Sequence, residues 1–322
     1  MCVFNLIIKI IILLLSLILT IIFYTYWERK FIGLAQDRIG PNRVGPFGLL
    51  QPIADPLKLL FKSIVFPKQA NKFLFILGPI IVVVTALSAW AVIPFSSKLV
   101  LANINIGVLY ILAISSLGIY GIIIAGWSSN SKYALFGAIR SATQMISYAI
   151  PMSFAVIGVL IKSGSMNLID IVHSQQGGII HWFCWPLLPL LFIYLVSAMA
   201  ETNRLPFDVA EAESELVAGF HVEYSGIGFA LFFLAEYSNM IITSMLTVIM
   251  FCGGWLSPFD KYLLWIPNYL WLFIKVFIFM TLFVWARATF PRYRIDQIMS
   301  INWKIFIPIS LLWIVLVAGQ II

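Results

Sequence analysis

The chain has 322 residues, of which 62% are hydrophobic and 10% charged, and its 20 Lys/Arg against 13 Asp/Glu give a formal net charge of +7. A mean hydropathy of +1.02 lies far from soluble domains, where about 25% of residues are charged. This excludes a water-soluble enzyme and predicts an all-α, polytopic membrane protein, with 1–322 forming a single transmembrane domain.

A span needs about 20 apolar residues, and eight segments qualify: roughly 4–27, 73–95, 106–127, 144–162, 183–200, 227–255, 263–286 and 302–321. The first is too long for a signal-peptide core and lacks a small-residue cleavage site before WERK, so a retained helix is expected. After it, RIGPNRVGPFG (38–48) reads as irregular backbone carrying Gly-Pro and Pro-Asn turn signals. PIADPLKLLFKSIVF follows, with Leu57, Leu60, Phe61 and Ile64 at i, i+3, i+4, i+7 and Lys58 and Lys62 on another face. That pattern predicts an amphipathic surface helix over about 52–64. The odd-numbered loops carry fourteen Lys/Arg and the even-numbered ones only Lys98, Lys162 and Lys261. Basic residues favour the cytoplasmic or matrix side, so the odd loops are expected inside and both termini outside.

Cofactor signatures are missing from the sequence. Cys2, Cys184 and Cys252 are scattered, whereas an iron–sulfur cluster needs about four grouped thiolates. His173, His181 and His221 match no zinc spacing, and no GKS/T or GxGxxG occurs. No cofactor or metal is expected to be held by this chain, and nothing suggests nucleic acid.

The acids are distributed unevenly. AETNRLPFDVAEAESELVAGFHVEY (200–224) holds six carboxylates, Glu201, Asp208, Glu211, Glu213, Glu215 and Glu223, with Arg204 as its one arginine. Each ionised group facing lipid costs about 2.5–3.5 kcal/mol, so these groups belong in water, against a partner, or around a hydrated cavity. Asp208, Glu211 and Glu215 stand at i, i+3, i+7 and would share one face of a helix starting near Pro206. Crowded carboxylates raise one another's pKa values. A solvated acidic loop is the bland alternative. Glu236, well inside the sixth span, and Lys275, at the middle of the seventh, are ionisable groups at a depth that usually marks an ion or proton path. A static Glu–Lys pair is the alternative.

Five motifs carry a resemblance. WERKFIGLAQDRIGPNRVGPFGLLQPIADPLKLLFK, AGWSSNSKYALFGAIRSATQMISY, AETNRLPFDVAEAESELVAGFHVEYSG, FALFFLAEYSNM and RATFPRYRIDQIM together resemble the quinone-site membrane subunit of respiratory complex I, the NADH:quinone oxidoreductase of bacteria and mitochondria. The resemblance covers nearly the whole chain in order. It implies an eight-helix subunit at the junction with the hydrophilic arm, forming the membrane end of a quinone tunnel and the first part of a proton-coupling path. NADH, FMN and the iron–sulfur clusters would reside in partner subunits, and a quinone, ubiquinone by expectation, would be the substrate. The implied partners are the quinone-site and iron–sulfur subunits of the hydrophilic arm, the small and antiporter-like membrane subunits, and membrane lipids.

The resemblance also suggests roles by position. Glu28, Arg29 and Lys30 match a charged exit from the first helix near the quinone entrance, and Asp55 an acid near the tunnel. Arg204 matches a structural or quinone-facing cation, while Phe229, Phe232 and Phe233 match aromatics along the quinone path, with ordinary packing the alternative for each. Arg287, Arg292 and Arg294 match a basic segment, with Arg287 nearest the quinone mouth. Glu201, Asp208, Glu211, Glu213, Glu215, Glu223, Glu236 and Lys275 match the proton path. Two departures stand out. Ala149 occupies a position where the family usually has glutamate, with Pro151 expected to bend the span, and Ser63 follows Lys62 where the family often has glutamate. The wording of FHVEYSG and LANINIGVLYILA favours a bacterial inner membrane over a mitochondrial one. Rival readings are the homologous subunit of a membrane-bound hydrogenase and a self-contained ion transporter. The transporter predicts inverted repeats, which the sequence does not display.

Overall fold

A computed structural model describes residues 2–210, 217–259 and 266–320. Long apolar runs without interior breakers make the first helix, α1 (Cys2–Ala35), 34 residues long. At 1.5 Å per residue it outreaches a hydrocarbon core of about 30 Å, so its last turns, bearing Glu28, Arg29 and Lys30, emerge from the apolar layer. The amphipathic segment forms α2 (Gln51–Phe61), with Pro52 in its first turn where a missing N–H costs nothing.

Among the described residues the remaining α-helices are α3 (Lys72–Ser88), α4 (Gly107–Ser128), α5 (Lys132–Ser163), the short α6 (Leu168–His173), α7 (Leu188–Glu201), α8 (Ile227–Phe251), α9 (Asn268–Thr289), α10 (Ile295–Ile301) and α11 (Ile307–Gly319). A π-helical stretch, Asn302–Phe306, joins α10 to α11 in one continuous rod. Helix α3 packs on α4, α5 on α4, α7 and α11, α8 on α3 and α9, and α1 on α9. The C-terminal half of α8 is buried without interruption from Met240 to Phe251, which makes it a central post of the bundle.

Inside lipid, helices associate by close packing rather than hydrophobic drive, and α3–α4–α5 show how. A Cβ on Gly78 would come within 2.9 Å of Ala125 Cβ, and one on Gly126 within 2.4 Å of Ala138 Cβ. Aromatic packing anchors the 217–226 loop: Tyr224 stacks on Phe75 with centroids 4.0 Å apart, and its hydroxyl donates to Phe75 O at 2.9 Å.

Seven helices are long and apolar enough to cross a membrane, by length and composition, among the described residues. The fifth expected span is shorter than 183–200: residues 183–187 form turns, and α7 has 14 residues. The fourth is longer, beginning at Lys132 rather than near 144 and running through Pro151 to Ser163. Its extra turns are held by tertiary contact, with Gly137 against the Gly219 backbone. The sequence pattern also extended α2 to 64, whereas Lys62 is already extended backbone.

A helix starting near Pro206 does not form. Residues 205–207 are turn and bend and 209–210 turn, because buried Gln144 pins this stretch: its Nε2 donates to Ala200 O at 2.8 Å and to Phe207 O at 2.7 Å. Asp208 therefore does not stand on a helix. Glu211, Glu213 and Glu215 lie outside the described residues.

Candidate functional site

At one end of the bundle the last turns of α1, α7 and α9 meet the first turns of α8. Glu28 is there, 3% exposed. A buried carboxylate is tolerable only when paired and hydrogen-bonded, and both conditions hold. The Arg287 guanidinium from α9 donates to Glu28 Oε1, and the Tyr237 hydroxyl from α8 donates to Oε2 at 2.6 Å. Arg204 Nη1 stands 3.8 Å from Oε1. Arg204, 8% exposed, pairs through Nε with Glu236 and lies 4.6 Å from the Tyr237 ring centroid. Among the described residues, two carboxylates and two guanidiniums from four separate segments thus gather around one tyrosine. Any charge that appears or leaves beside this cluster is weakly screened.

An aromatic line leads to the cluster. Phe229, Phe233 and Tyr237 succeed one another at i, i+4, i+8 on α8, with centroid separations of 4.8 and 5.9 Å. Tyr24 continues the line edge-on to Tyr237 at 5.8 Å. Phe232 points elsewhere and packs against Phe220 and Tyr224. Beyond Tyr24 and Trp27, an apolar groove of about 640 Å³ opens between α1 and α9, its floor including Trp90, Ile241 and Met245. The groove is long and non-polar, and at its Tyr24–Trp27 end it abuts the charged cluster, starting at Glu28.

A second, polar route leaves the cluster through the protein. Glu236, Asn239, His221, Thr202 and Glu201 line a cavity of about 50 Å³. Glu201, Thr202 and Asn239 also line a neighbouring cavity of about 50 Å³, which reaches Ser115, Thr85 and Thr243. Each has room for a few waters, and Glu201 sits where they join. Its Oε2 is buried without a hydrogen bond among the described residues, and the Ser115 side chain lies beside its carboxylate. The hydroxyls of Thr85, Ser115 and Thr243 donate to carbonyls of their own helices, which leaves oxygen lone pairs for the cavity.

His221 closes the first cavity, its ring packed edge-on against Phe220 and Phe229. Burial pushes its imidazole down to about 4 from 6.5, although nearby Asp208 opposes the shift. The folded loop thus binds no proton in that interval, while the unfolded chain does. Stability is complete above 6.5 and is lost as pH falls toward 4, by about 3 kcal/mol in all. Protease cleavage within 202–226 is expected to rise steeply between pH 6.5 and 5, and His221→Phe, which keeps the ring contacts, is expected to flatten that rise.

The other expected site residues separate into smaller groups. Arg29 pairs with Asp55 at 2.5 Å, and Gln51 Nε2 also donates to Asp55 at 2.7 Å. This joins α1 to α2 at an exposed position where ion pairs contribute little. Asp208 pairs with Arg292 at 2.9 Å. Arg294 precedes α10, its N–H donating to Gln297 Oε1 at 3.2 Å, and Lys30 lies 5.7 Å from the Tyr26 ring centroid. Glu223 is half-buried and has no ion pair among the described residues. Lys275 meets none of the other candidates: its Nζ donates to Cys252, Gly254 and Leu256 carbonyls at 2.8, 3.0 and 2.7 Å. Measured along α8, that is about 24 Å from Glu236 at 1.5 Å per residue. Tyr237, Gln144 and His221 did not emerge from the sequence as site residues. A glutamine within the long, largely apolar α5 is the signal that could have marked Gln144.

An all-helical bundle in which, among the described residues, seven helices are long and apolar enough to cross a membrane, with buried charged groups gathered at one end, defines a polytopic membrane protein. The profile of the NADH dehydrogenase family matches residues 8–318. The chain belongs to that family, and with it to a multisubunit NADH dehydrogenase complex.

Proposed function

We propose that this chain is the membrane subunit of a proton-pumping NADH:quinone oxidoreductase, where it forms the membrane end of the quinone tunnel and the start of the coupling path. What carries the reading is the junction at Glu28: an apolar groove arrives from one side, and a chain of polar cavities leaves on the other. The isoprenoid tail of the quinone would lie along α1 and α9, and its headgroup would pass the Phe229–Phe233–Tyr237 line toward a partner subunit that holds the reducing iron–sulfur cluster. Arg287 is half-exposed beside Glu28 and would attract the electron-rich headgroup.

Two-electron reduction leaves negative charge until two protons arrive. Near the Glu28–Arg204–Glu236 cluster that charge would weaken the hold of the guanidiniums on the carboxylates and raise proton affinity at Glu236. Relaxation would then pass to Glu201 through the first cavity and onward past Ser115 toward the antiporter-like partners, with Asp208, Glu223 and the residues 211–215 supplying protons from the inner surface. Since the second cavity is lined by α3, α4 and α8, a proton could proceed by hydroxyls and water without a carboxylate at Ala149. By the basic-residue count this end would face inward and both termini outward, and the FHVEYSG and LANINIGVLYILA wording favours a bacterial inner membrane.

Arg287→Gln tests the reading. It is expected to raise the KM for a short-tailed quinone by about tenfold, the worth of one charge-assisted contact of about 1.4 kcal/mol. Reduction of ferricyanide by NADH in the same membranes should be unchanged, because that reaction needs only an assembled hydrophilic arm. Unaltered quinone kinetics would remove Arg287 from the path.

A further inference from the structure

The opposite end of the bundle holds a second chemical cluster that the quinone and proton routes leave unused. Cys252, the residue after α8, lies beside Cys184, in the turn ahead of α7. The backbone fixes this approach, with Cys184 N–H donating to Phe251 O at 2.8 Å. Both cysteines are free and partly accessible. The Lys275 ammonium is held beside them by its three carbonyl acceptors and by the Trp182 ring, whose centroid is 4.0 Å away, and its charge acts on both sulfurs.

With the two residues held side by side by that backbone bond, side-chain rotation can bring the sulfurs to an S–S bond of about 2 Å. A fixed ammonium beside a thiol favours the thiolate, which is the attacking species in exchange. The basic-residue count assigns this end to the outside, the compartment in which disulfides persist. We propose that Cys184 and Cys252 form an oxidisable dithiol that exchanges with an external disulfide of the glutathione class and closes into a bond tying α7 to α8. The Cys184 thiolate attacks one sulfur of the external disulfide and releases one thiolate, leaving a mixed disulfide. Deprotonated Cys252 then attacks Cys184 Sγ and expels the second. One external disulfide is reduced to two thiols, and two protein thiols are oxidised to one disulfide.

The test uses membranes containing the intact complex, reduced, freed of reductant, exposed to oxidised glutathione and then capped with N-ethylmaleimide before peptide mass spectrometry. A linked Cys184–Cys252 peptide pair is expected, lighter by two hydrogens, with maleimide capping of both residues falling by about tenfold or more. In Cys252→Ser, Cys184 should instead retain glutathione. Lys275→Met is expected to slow closure by about tenfold through loss of thiolate. The proposal is overturned if both cysteines are capped as fully after oxidation as before, or if glutathione persists on Cys184 in the parent chain.

Discussion

Arg204→Met is expected to abolish accumulation of the subunit in the assembled complex. Methionine fills much of the arginine volume but removes the guanidinium that pairs with Glu236 and stands 3.8 Å from buried Glu28. Stranding a buried charge costs about 3–5 kcal/mol, a large share of the 5–15 kcal/mol that holds typical folds. The diagnostic is the double variant Arg204→Met with Glu236→Gln, which removes one charge of each sign. It should restore assembly on a native gel while leaving quinone reduction impaired. If the single variant assembles at parental levels, the cluster does not carry the structural weight assigned to it. Arg204→Lys should assemble poorly as well, because an ammonium cannot reproduce the guanidinium's contacts with Glu236, Glu28 and the Tyr237 face together.

The second large effect is expected at Glu201. Glu201→Leu puts a hydrocarbon side chain where the two polar cavities meet, closing the hydrated route while adding no charge. Proton translocation driven by NADH should fall by at least about a hundredfold, the lower end of the 10²–10⁴-fold range over which positioned proton-transfer groups act. The subunit should assemble, since Glu201 makes no ion pair among the described residues. Glu201→Asp, one methylene shorter, should retain part of the activity. Dye-quenching measurements on inside-out vesicles separate these outcomes, and equal pumping by parent and leucine variant would close the route through Glu201.

How much of this could be read in advance depends on what each feature is made of. The spans were legible because their signal, runs of about 20 apolar residues, is local and strong. The amphipathic α2 was legible because its period was. Glu236 was marked by its depth within an apolar run and Glu28 by the resemblance alone, but their partners were not: the Glu28–Arg287 pair joins residues 259 positions apart, and only the packing of α1 on α9 brings them together. Tyr237 stayed hidden because one aromatic in an aromatic-rich helix looks like ordinary packing. Lys275 was identified as a buried charge, yet its acceptors are backbone carbonyls of the 252–256 turn, which have no side-chain signature. The helix expected from Pro206 failed for a related reason. Spacing arguments presuppose a helix, and here a glutamine from α5 captures the carbonyls of Ala200 and Phe207.

Reaction of the intact complex with a short-tailed quinone carrying a photoreactive headgroup tests the central assignment most directly. Illumination followed by peptide mapping should place the label on this chain within residues 23–31, 229–237 or 280–290, and excess unlabelled quinone should compete it away. Labelling confined to α4, α6 or α11, or insensitive to competition, would contradict the assignment of the Glu28 junction to quinone.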